Sequence, residues 1–293
     1  MDAGVLTKDK LRAISDLIRL PKQYGTLLVL WPTLWSLFIA SHGRPDIKML
    51  AIFILGTFLM RSAGCAVNDI ADRNFDGYVE RTKGRPLASG RLKLKEAIAV
   101  FVALSLLAFV LVLFLNRLAI ALSFIGIFIA VVYPFVKRVS HWPQAFLGIA
   151  FGWGAVMAWG AVRNDIGAPA VFIFLANILW STAYDTIYAL MDKEDDLKIG
   201  VKSTAILFGK GVYKTLALLY IGAAAFLAAA GYAAGRGWIY FFGVGLCLVL
   251  SMKVVSTVKA SPMRETAFNG FLANAAIGGV MFIFVVIDTL KFL

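Results

Sequence analysis

The sequence predicts an all-α membrane protein: a bundle of nine transmembrane helices, with a cytoplasmic-side cap of loops and short helices over a central cavity. Three observations predict it. Sixty per cent of the 293 residues are hydrophobic and the mean hydropathy is +0.82, whereas soluble domains are usually under half apolar by this measure. Nine runs of mostly apolar residues recur, each near the roughly 20 residues that a helix needs to cross a bilayer. Lysine and arginine alternate between dense and sparse connections, as membrane orientation requires. A core of this chain length would not hide so many apolar side chains from water, so the excess faces lipid. The whole of residues 1–293 is expected to form one polytopic domain.

Residues 1–22 are polar, mixed in charge and without a secretory-signal pattern. The first span covers about 24–41 and contains Pro32, which membrane helices tolerate. The second, about 47–67, holds Arg61. The third and fourth, about 96–115 and 118–136, follow, with Pro134 near the end of the fourth. The fifth covers about 143–161 and the sixth, about 169–190, carries Asn177. The last three cover about 213–234, 237–255 and 268–290.

The net charge is +12. On a soluble chain this would suggest nucleic acid; here the basic residues sit in short loops between apolar runs, which fits membrane orientation and anionic substrates. The N-terminal segment and the connections after the even-numbered spans hold 22 of the 29 basic residues, and the opposite side holds six. Arg61 lies inside a span. The positive-inside rule then puts the N-terminus and the even-numbered loops in the cytoplasm. Cys65 and Cys247 lie in apolar stretches and indicate neither a disulfide framework nor a zinc site. His42 and His141 are too isolated for a His-rich metal site.

Two acidic clusters carry the chemistry. The first is Asn68-Asp69-Ile70-Ala71-Asp72-Arg73-Asn74-Phe75-Asp76. If the second span stays helical here, Asn68, Asp72 and Asp76 share one face, with Asp69 beside them. The second cluster runs from Asp185 through Tyr188 and Asp192 to Asp195 and Asp196. Asp185, Tyr188, Asp192 and Asp196 share a helical face. Both follow even-numbered spans, so both emerge on one side and can face each other over one cavity. Solvated loop charge is the ordinary reading of acids outside a span. Two sets at helical spacing, both at membrane depth on one side, weigh against it.

A diphosphate leaves readily only when its charge is neutralised. Mg²⁺ takes oxygen ligands and is commonly held by one or two carboxylates plus phosphate oxygens. Two carboxylate ridges suit such an arrangement, with Lys and Arg binding the remaining phosphate charge. The acids alone would repel a diphosphate, so this logic requires metal. Arg61 lies seven residues before Asn68 on the same face, and an ionisable residue at that depth is a functional candidate. A snorkelling side chain or a structural ion pair is the competing reading. Asn177 is expected to make interhelical hydrogen bonds.

These residues resemble the UbiA superfamily of intramembrane prenyltransferases. Asn68-Asp69-x-x-Asp72-x-x-x-Asp76 is similar to its first Asp-rich motif, and Asp185-x-x-Tyr188-Ala189-x-x-Asp192-x-x-Asp195-Asp196 to its second. Leu30-Trp31-Pro32-Thr33-Leu34-Trp35, Arg85-Pro86-Leu87-Ala88-Ser89-Gly90, Tyr133-Pro134-Phe135-Val136-Lys137-Arg138, Trp142-Pro143-Gln144 and Lys198-Ile199-Gly200-Val201-Lys202-Ser203-Thr204 bring it nearest to the 4-hydroxybenzoate polyprenyltransferases of ubiquinone synthesis. The resemblance runs from about Arg19 to Gly209; the final three spans add little. Gln23-Tyr24 departs from the Pro-Ile that relatives often carry.

The resemblance implies Mg²⁺, a polyprenyl diphosphate and 4-hydroxybenzoate or a similar aromatic acceptor, in a bacterial inner membrane (mitochondrial if the source is eukaryotic). It implies Mg²⁺-diphosphate held by Asn68, Asp72 and Asp76 from one side and by Asp192 and Asp196 from the other, supported by Asp69, Asp185 and Asp195. It gives Arg138 the aromatic carboxylate and makes Arg73, Lys83, Arg85 and Lys202 diphosphate contacts. Asp192 would orient or deprotonate the phenol. Tyr133 and Tyr188 could present ring faces to a cation, although packing is as ordinary a role for them. Without the resemblance, Lys137-Arg138 reads as a topology anchor.

A divalent-cation transporter is the rival from another class. It needs carboxylates along a path through the bundle, whereas these acids crowd at one membrane face. A UbiA-type enzyme with another acceptor is the second rival.

Overall fold

The computed structural model describes residues 3–80 and 82–291; Arg81, counted above among the basic loop residues, lies outside them. Twelve α-helices and two short 3₁₀ turns make up the described chain, and no strand occurs among the described residues. Helix α1 is Ala3–Leu17, α2 Tyr24–Ala40, α3 Ile47–Asp72, α4 Leu94–Val112, α5 Arg117–Val139 and α6 Pro143–Arg163. Helix α7 is Ala168–Ala189, α8 Lys193–Ile199, α9 Thr204–Leu207, α10 Val212–Ala233, α11 Trp238–Ala260 and α12 Arg264–Lys291. Eight of these, α3–α7 and α10–α12, are long and apolar enough to cross a membrane. Helix α2 is apolar but has only 17 residues.

Local chemistry explains the helix ends. Asp46 caps α3, accepting from Lys48 N at 2.9 Å and Met49 N at 3.1 Å. Asn116 caps α5 through Ala119 N at 2.9 Å. Pro143 and Pro169 sit in first turns, where no intrahelical donor is lost. Asn164, at φ 55°, ends α6 in the left-handed region that Asn tolerates.

Two features sharpen the sequence reading. The polar N-terminal segment contains α1, whose buried Ala13 and Leu17 pack with Ala66, Leu92 and Ala97. Helix α3 runs to Asp72, five residues past the expected end, because the polar residues Asn68, Asp69 and Asp72 have partners inside the protein rather than in lipid.

Neighbouring helices pack in the order α3, α5, α6, α7, α10, α11, α12, α2 and back to α3, with α4 against α3 and α5, and α2 also against α6. Helices α2, α7 and α10–α12 share the largest core, including Trp35, Trp180, Tyr184, Tyr220 and Tyr240. Helices α6 and α7 approach so closely that a Cβ on Gly148 would lie 2.8 Å from Ile178 Cα. Asn177 makes the interhelical bond expected of it, to Gly148 O at 2.9 Å. Outside, Leu107, Phe128, Leu218 and Val249 are exposed along the long helices, as a lipid-facing surface requires.

Candidate active site

Helices α2–α7 line a cavity of about 1030 Å³, whose far reaches along α3–α6 are apolar: Ile52 and Phe53 of α3, Phe101 and Phe109 of α4, Phe124 of α5, Trp153 and Met157 of α6. Both acidic clusters line its polar end.

The first cluster does not form one continuous helical face. Helix α3 stops at Asp72, and Phe75 N bonds Asp72 O at 2.7 Å to start a turn. A 3₁₀ turn, Asp76–Tyr78, then carries Asp76 back to the cavity, fixed by Thr82 Oγ1 donating to Asp76 O at 2.9 Å. Asn68 Nδ2 donates to Asp72 Oδ2 at 3.1 Å. Fully buried Asp69 accepts from Arg19 Nη2 at 2.7 Å, with Arg85 Nη1 at 3.2 Å. Arg85 also reaches Asp76 Oδ2 at 3.0 Å, and Lys137 pairs with Asp72. Burial raises the Asp76 carboxyl above the ordinary carboxylate range; Arg85 opposes this and the Asp72 and Asp69 charges add to it.

The second cluster is also broken. Helix α7 ends at Ala189, and Asp192 stands at the N-terminal boundary of α8, with Asp196 N bonding Asp192 O at 2.8 Å. That turn keeps Asp185, Tyr188, Asp192 and Asp196 on the cavity. Asp195 is not among the lining residues; it meets Arg264 at 3.2 Å and Lys198 at 3.7 Å.

Lys137 ties the two arms together. Its side chain pairs with Asp72 of the first arm, while its carbonyl accepts from Lys202 N, beyond the second arm, at 3.3 Å. Lys202 Nζ donates to Val139 O at 3.2 Å, and Thr204 N donates to Gln144 Oε1 at 3.0 Å. The segment after α8 is thereby fastened to the ends of α5 and α6.

Arg138 lines the cavity, donates to Ala71 O and lies over the rings of Phe75 and Phe135, at 5.2 and 5.1 Å from their centroids. Arg61 lines the cavity deeper, donates to Cys65 Sγ and leaves its buried Nε without a partner. Gly25 of α2 makes room for it: a Cβ there would lie 2.7 Å from Arg61 Nε. Arg73 and Lys83 are not lining residues. Exposed Arg73 donates to Ile70 O at 2.9 Å, and Lys83 pairs with Glu80 at 2.7 Å.

Sequence reasoning missed Arg19 and Phe271 and read Lys137 as an anchor. Arg19 precedes the first span in an ordinary basic segment; only its left-handed backbone, φ 57°, and its bond to Asp69 single it out. Among the described residues no group of three His, Cys, Asp or Glu side chains is arranged as a closed metal site. Asp69 Oδ2 and Asp72 Oδ1 are nevertheless buried with no hydrogen-bond partner. Orphaned carboxylate oxygens are costly to bury, and a hard cation is the ligand that suits them.

The UbiA prenyltransferase family model matches residues 29–275, a stretch that includes both acidic arms. The chain belongs to this family. It is a prenyltransferase and an integral membrane protein, and membership displaces the cation-transporter reading. A Salmonella paratyphi B protein named 4-hydroxybenzoate octaprenyltransferase is 48% identical over 281 residues, covering 95% of this chain and 96% of that protein. A Salmonella newport protein of the same name matches to the same extent. Among solved structures, an apo UbiA homologue from Aeropyrum pernix K1 is 26% identical, with a TM-score of 0.74, covering 89% of this chain and 97% of that one. A UbiA homologue from Archaeoglobus fulgidus bound to GPP and Mg²⁺ shares the fold at 15% identity, with a TM-score of 0.70, over 93% of this chain and 99% of that one.

Proposed function

We propose that this UbiA family member transfers a polyprenyl group from its diphosphate to the ring carbon ortho to the hydroxyl of 4-hydroxybenzoate, in ubiquinone biosynthesis, with Mg²⁺. One observation carries the reading: two acid-bearing arms line a single cavity that has cations at its rim and an apolar trough along α3–α6. The Salmonella relatives support the acceptor by their name. A protein of the same fold that holds GPP and Mg²⁺ supports the donor class and the metal.

We read α2 as the ninth span. Its 17 residues reach about 25 Å at 1.5 Å per residue, and local thinning or flanking polar residues accommodate the shortfall. With nine spans in one domain, the positive-inside rule would put the N-terminus, both acidic arms and the cap of α1, α8 and α9 in the cytoplasm, at an inner membrane.

Asn68, Asp72 and Asp76 would hold the metal from one arm and Asp192 and Asp196 from the other, backed by Asp69 and Asp185. Bound there, it would neutralise the diphosphate and act as a Lewis acid on its departure. Arg85, Lys137 and Lys202 stand at the same rim, where they would take phosphate oxygens in charge-assisted hydrogen bonds. Arg138 or the deeper Arg61 would hold the acceptor carboxylate. Asp192 would orient the phenol or hold its proton during attack, the proton returning to the oxygen as the ring proton leaves. The prenyl C1–O bond breaks, the ring carbon forms the new bond to C1, and the ring proton leaves. Tyr188 and Tyr133 would face the positive charge on the allylic carbon. The trough would hold the isoprenoid and keep water away from that carbon.

The test is a membrane assay with radiolabelled 4-hydroxybenzoate, a panel of prenyl diphosphates and alternative acceptors, and Mg²⁺ supplied or chelated. Label should enter prenylated 4-hydroxybenzoate only with Mg²⁺ present. Prenylation of a different acceptor alone, or equal turnover under chelation, rejects the assignment.

A further inference from the structure

The prenylation assigned above is the premise for a role of α12. We propose that Phe271 is a positioning residue that holds an aromatic wall closed beside the reacting carbon. It thereby sets how the prenyl group partitions between the aromatic acceptor and water.

Among the described residues, Phe271 is the one residue of α10–α12 that lines the cavity, and it is buried. Its ring touches three tyrosines on two other helices. Tyr188 is 4.7 Å away, Tyr184 5.7 Å and Tyr24 5.8 Å, centroid to centroid. Tyr188 stands between Asp185 and Asp192 in sequence, and all three line the cavity. Phe271 therefore backs a ring that stands within the second acidic arm.

Close packing fixes this ring in place. A Cβ on the preceding Gly270 would lie 2.9 Å from Val258 Cγ2 and 3.4 Å from Ile187 Cγ2, so α12 runs tight against α11 and α7 at this level. Phe268, one turn earlier, meets Tyr24 edge to face at 5.8 Å and 82°, and Phe271 meets it at 87°. Tyr24 thus seals the start of α2 against α12. Edge-to-face pairs hold preferred geometries beyond simple area burial.

An allylic centre beside this wall has two fates. Attack by the acceptor carbon gives prenylated acid, diphosphate and a proton. Attack by water oxygen breaks the same C1–O bond and gives prenyl alcohol, diphosphate and a proton. Closing the wall disfavours the second fate by excluding water. Removing the Phe271 ring opens space behind Tyr188 and loosens three ring contacts together.

The experiment uses the full chain in membranes with radiolabelled geranyl diphosphate, 4-hydroxybenzoate and Mg²⁺, and measures the ratio of prenyl alcohol to prenylated acid. In Phe271→Leu that ratio should rise about threefold to tenfold, and Phe271→Tyr should restore it. Tyr24→Leu should raise it less, and serves if Phe271→Leu does not fold. Phe282→Leu is the control: it also removes an α12 ring, but one packed on Trp31 and Phe38 and absent from the lining residues. An unchanged ratio in Phe271→Leu overturns the proposal, whatever the total rate. So does an equal rise in Phe282→Leu. Wild-type protein that makes neither product would instead overturn the functional reading beneath it.

Discussion

Helices α3–α6 and helices α7 and α10–α12 are both strongly apolar, yet the cavity runs along the first set, and the second packs on itself and meets the cavity only at the end of α7 and at Phe271 of α12. Helix α4 is among the most apolar spans and the least buried, whereas α7 is the least apolar of the eight and the most buried. In water the opposite order would hold. In lipid, hydropathy reports which surface meets the acyl chains, and the protein core takes small and polar residues that pack and pair. The filled side, with α2 packed on it, does so with Trp31 Nε1 bonding Ala275 O at 2.7 Å, Trp35 Nε1 bonding Gly278 O at 3.2 Å and Trp180 Nε1 bonding Asn274 Oδ1 at 2.9 Å. The open side spends its polar groups at the cavity rim. The filled side is thus a rigid mount and the open side a vessel for chemistry.

That division is tested most severely at the acids. Asp72→Asn or Asp192→Asn should lower turnover by roughly a thousandfold, as expected for loss of several kcal/mol of charge stabilisation at the leaving group. Both variants should insert and elute as the wild type does, because neither carboxylate stands in the filled side. Full activity in both would reject the metal-clamp assignment.

Arg138 should have a smaller effect that sharpens the comparison within the open side. It belongs both to the cavity lining and to the frame, through Ala71 O and the Phe75 ring. If it holds the acceptor carboxylate, Arg138→Ala should raise the acceptor KM by about tenfold or more, the scale of a lost charged hydrogen bond. The prenyl-diphosphate KM should move much less. Equal loss for both substrates would mean that Arg138 instead secures the end of α3.

The two sides also differ in how much of them was legible in the sequence. The spans were readable because apolar length is a one-dimensional property, and the acids because their spacing is unusual beside a span. The breaks at Asp72 and Ala189 were not readable. Nothing in Asp72-Arg73-Asn74-Phe75-Asp76 forbids another helical turn, and the turn that forms is held by Thr82, six residues beyond Asp76. Asp195 shares the motif, but its partner Arg264 lies 69 positions away on α12. Arg19 and Phe271 gain their place from tertiary contacts to Asp69 and Tyr188, which no local pattern encodes. The filled side offered almost no motif, because packing tolerates many apolar choices.

Asn274 gives the smallest expected effect on turnover. It is fully buried; its Oδ1 accepts from Trp180 Nε1 at 2.9 Å and Tyr220 OH at 3.0 Å, and its Nδ2 donates to Gly270 O at 2.9 Å. Asn274→Leu would leave two buried donors unpaired and should cost about 1–2 kcal/mol, read as a lowered thermal midpoint in detergent. Turnover per folded molecule should stay within about twofold, because additivity holds for sites that share no partners. The neighbouring position is what makes this informative. Asn274 lies three residues beyond Phe271 on α12 and bonds the carbonyl of Gly270. A larger fall in turnover at normal folded yield would mean that the filled side reaches the reaction through this turn, and the line between mount and vessel would then have to be drawn inside α12.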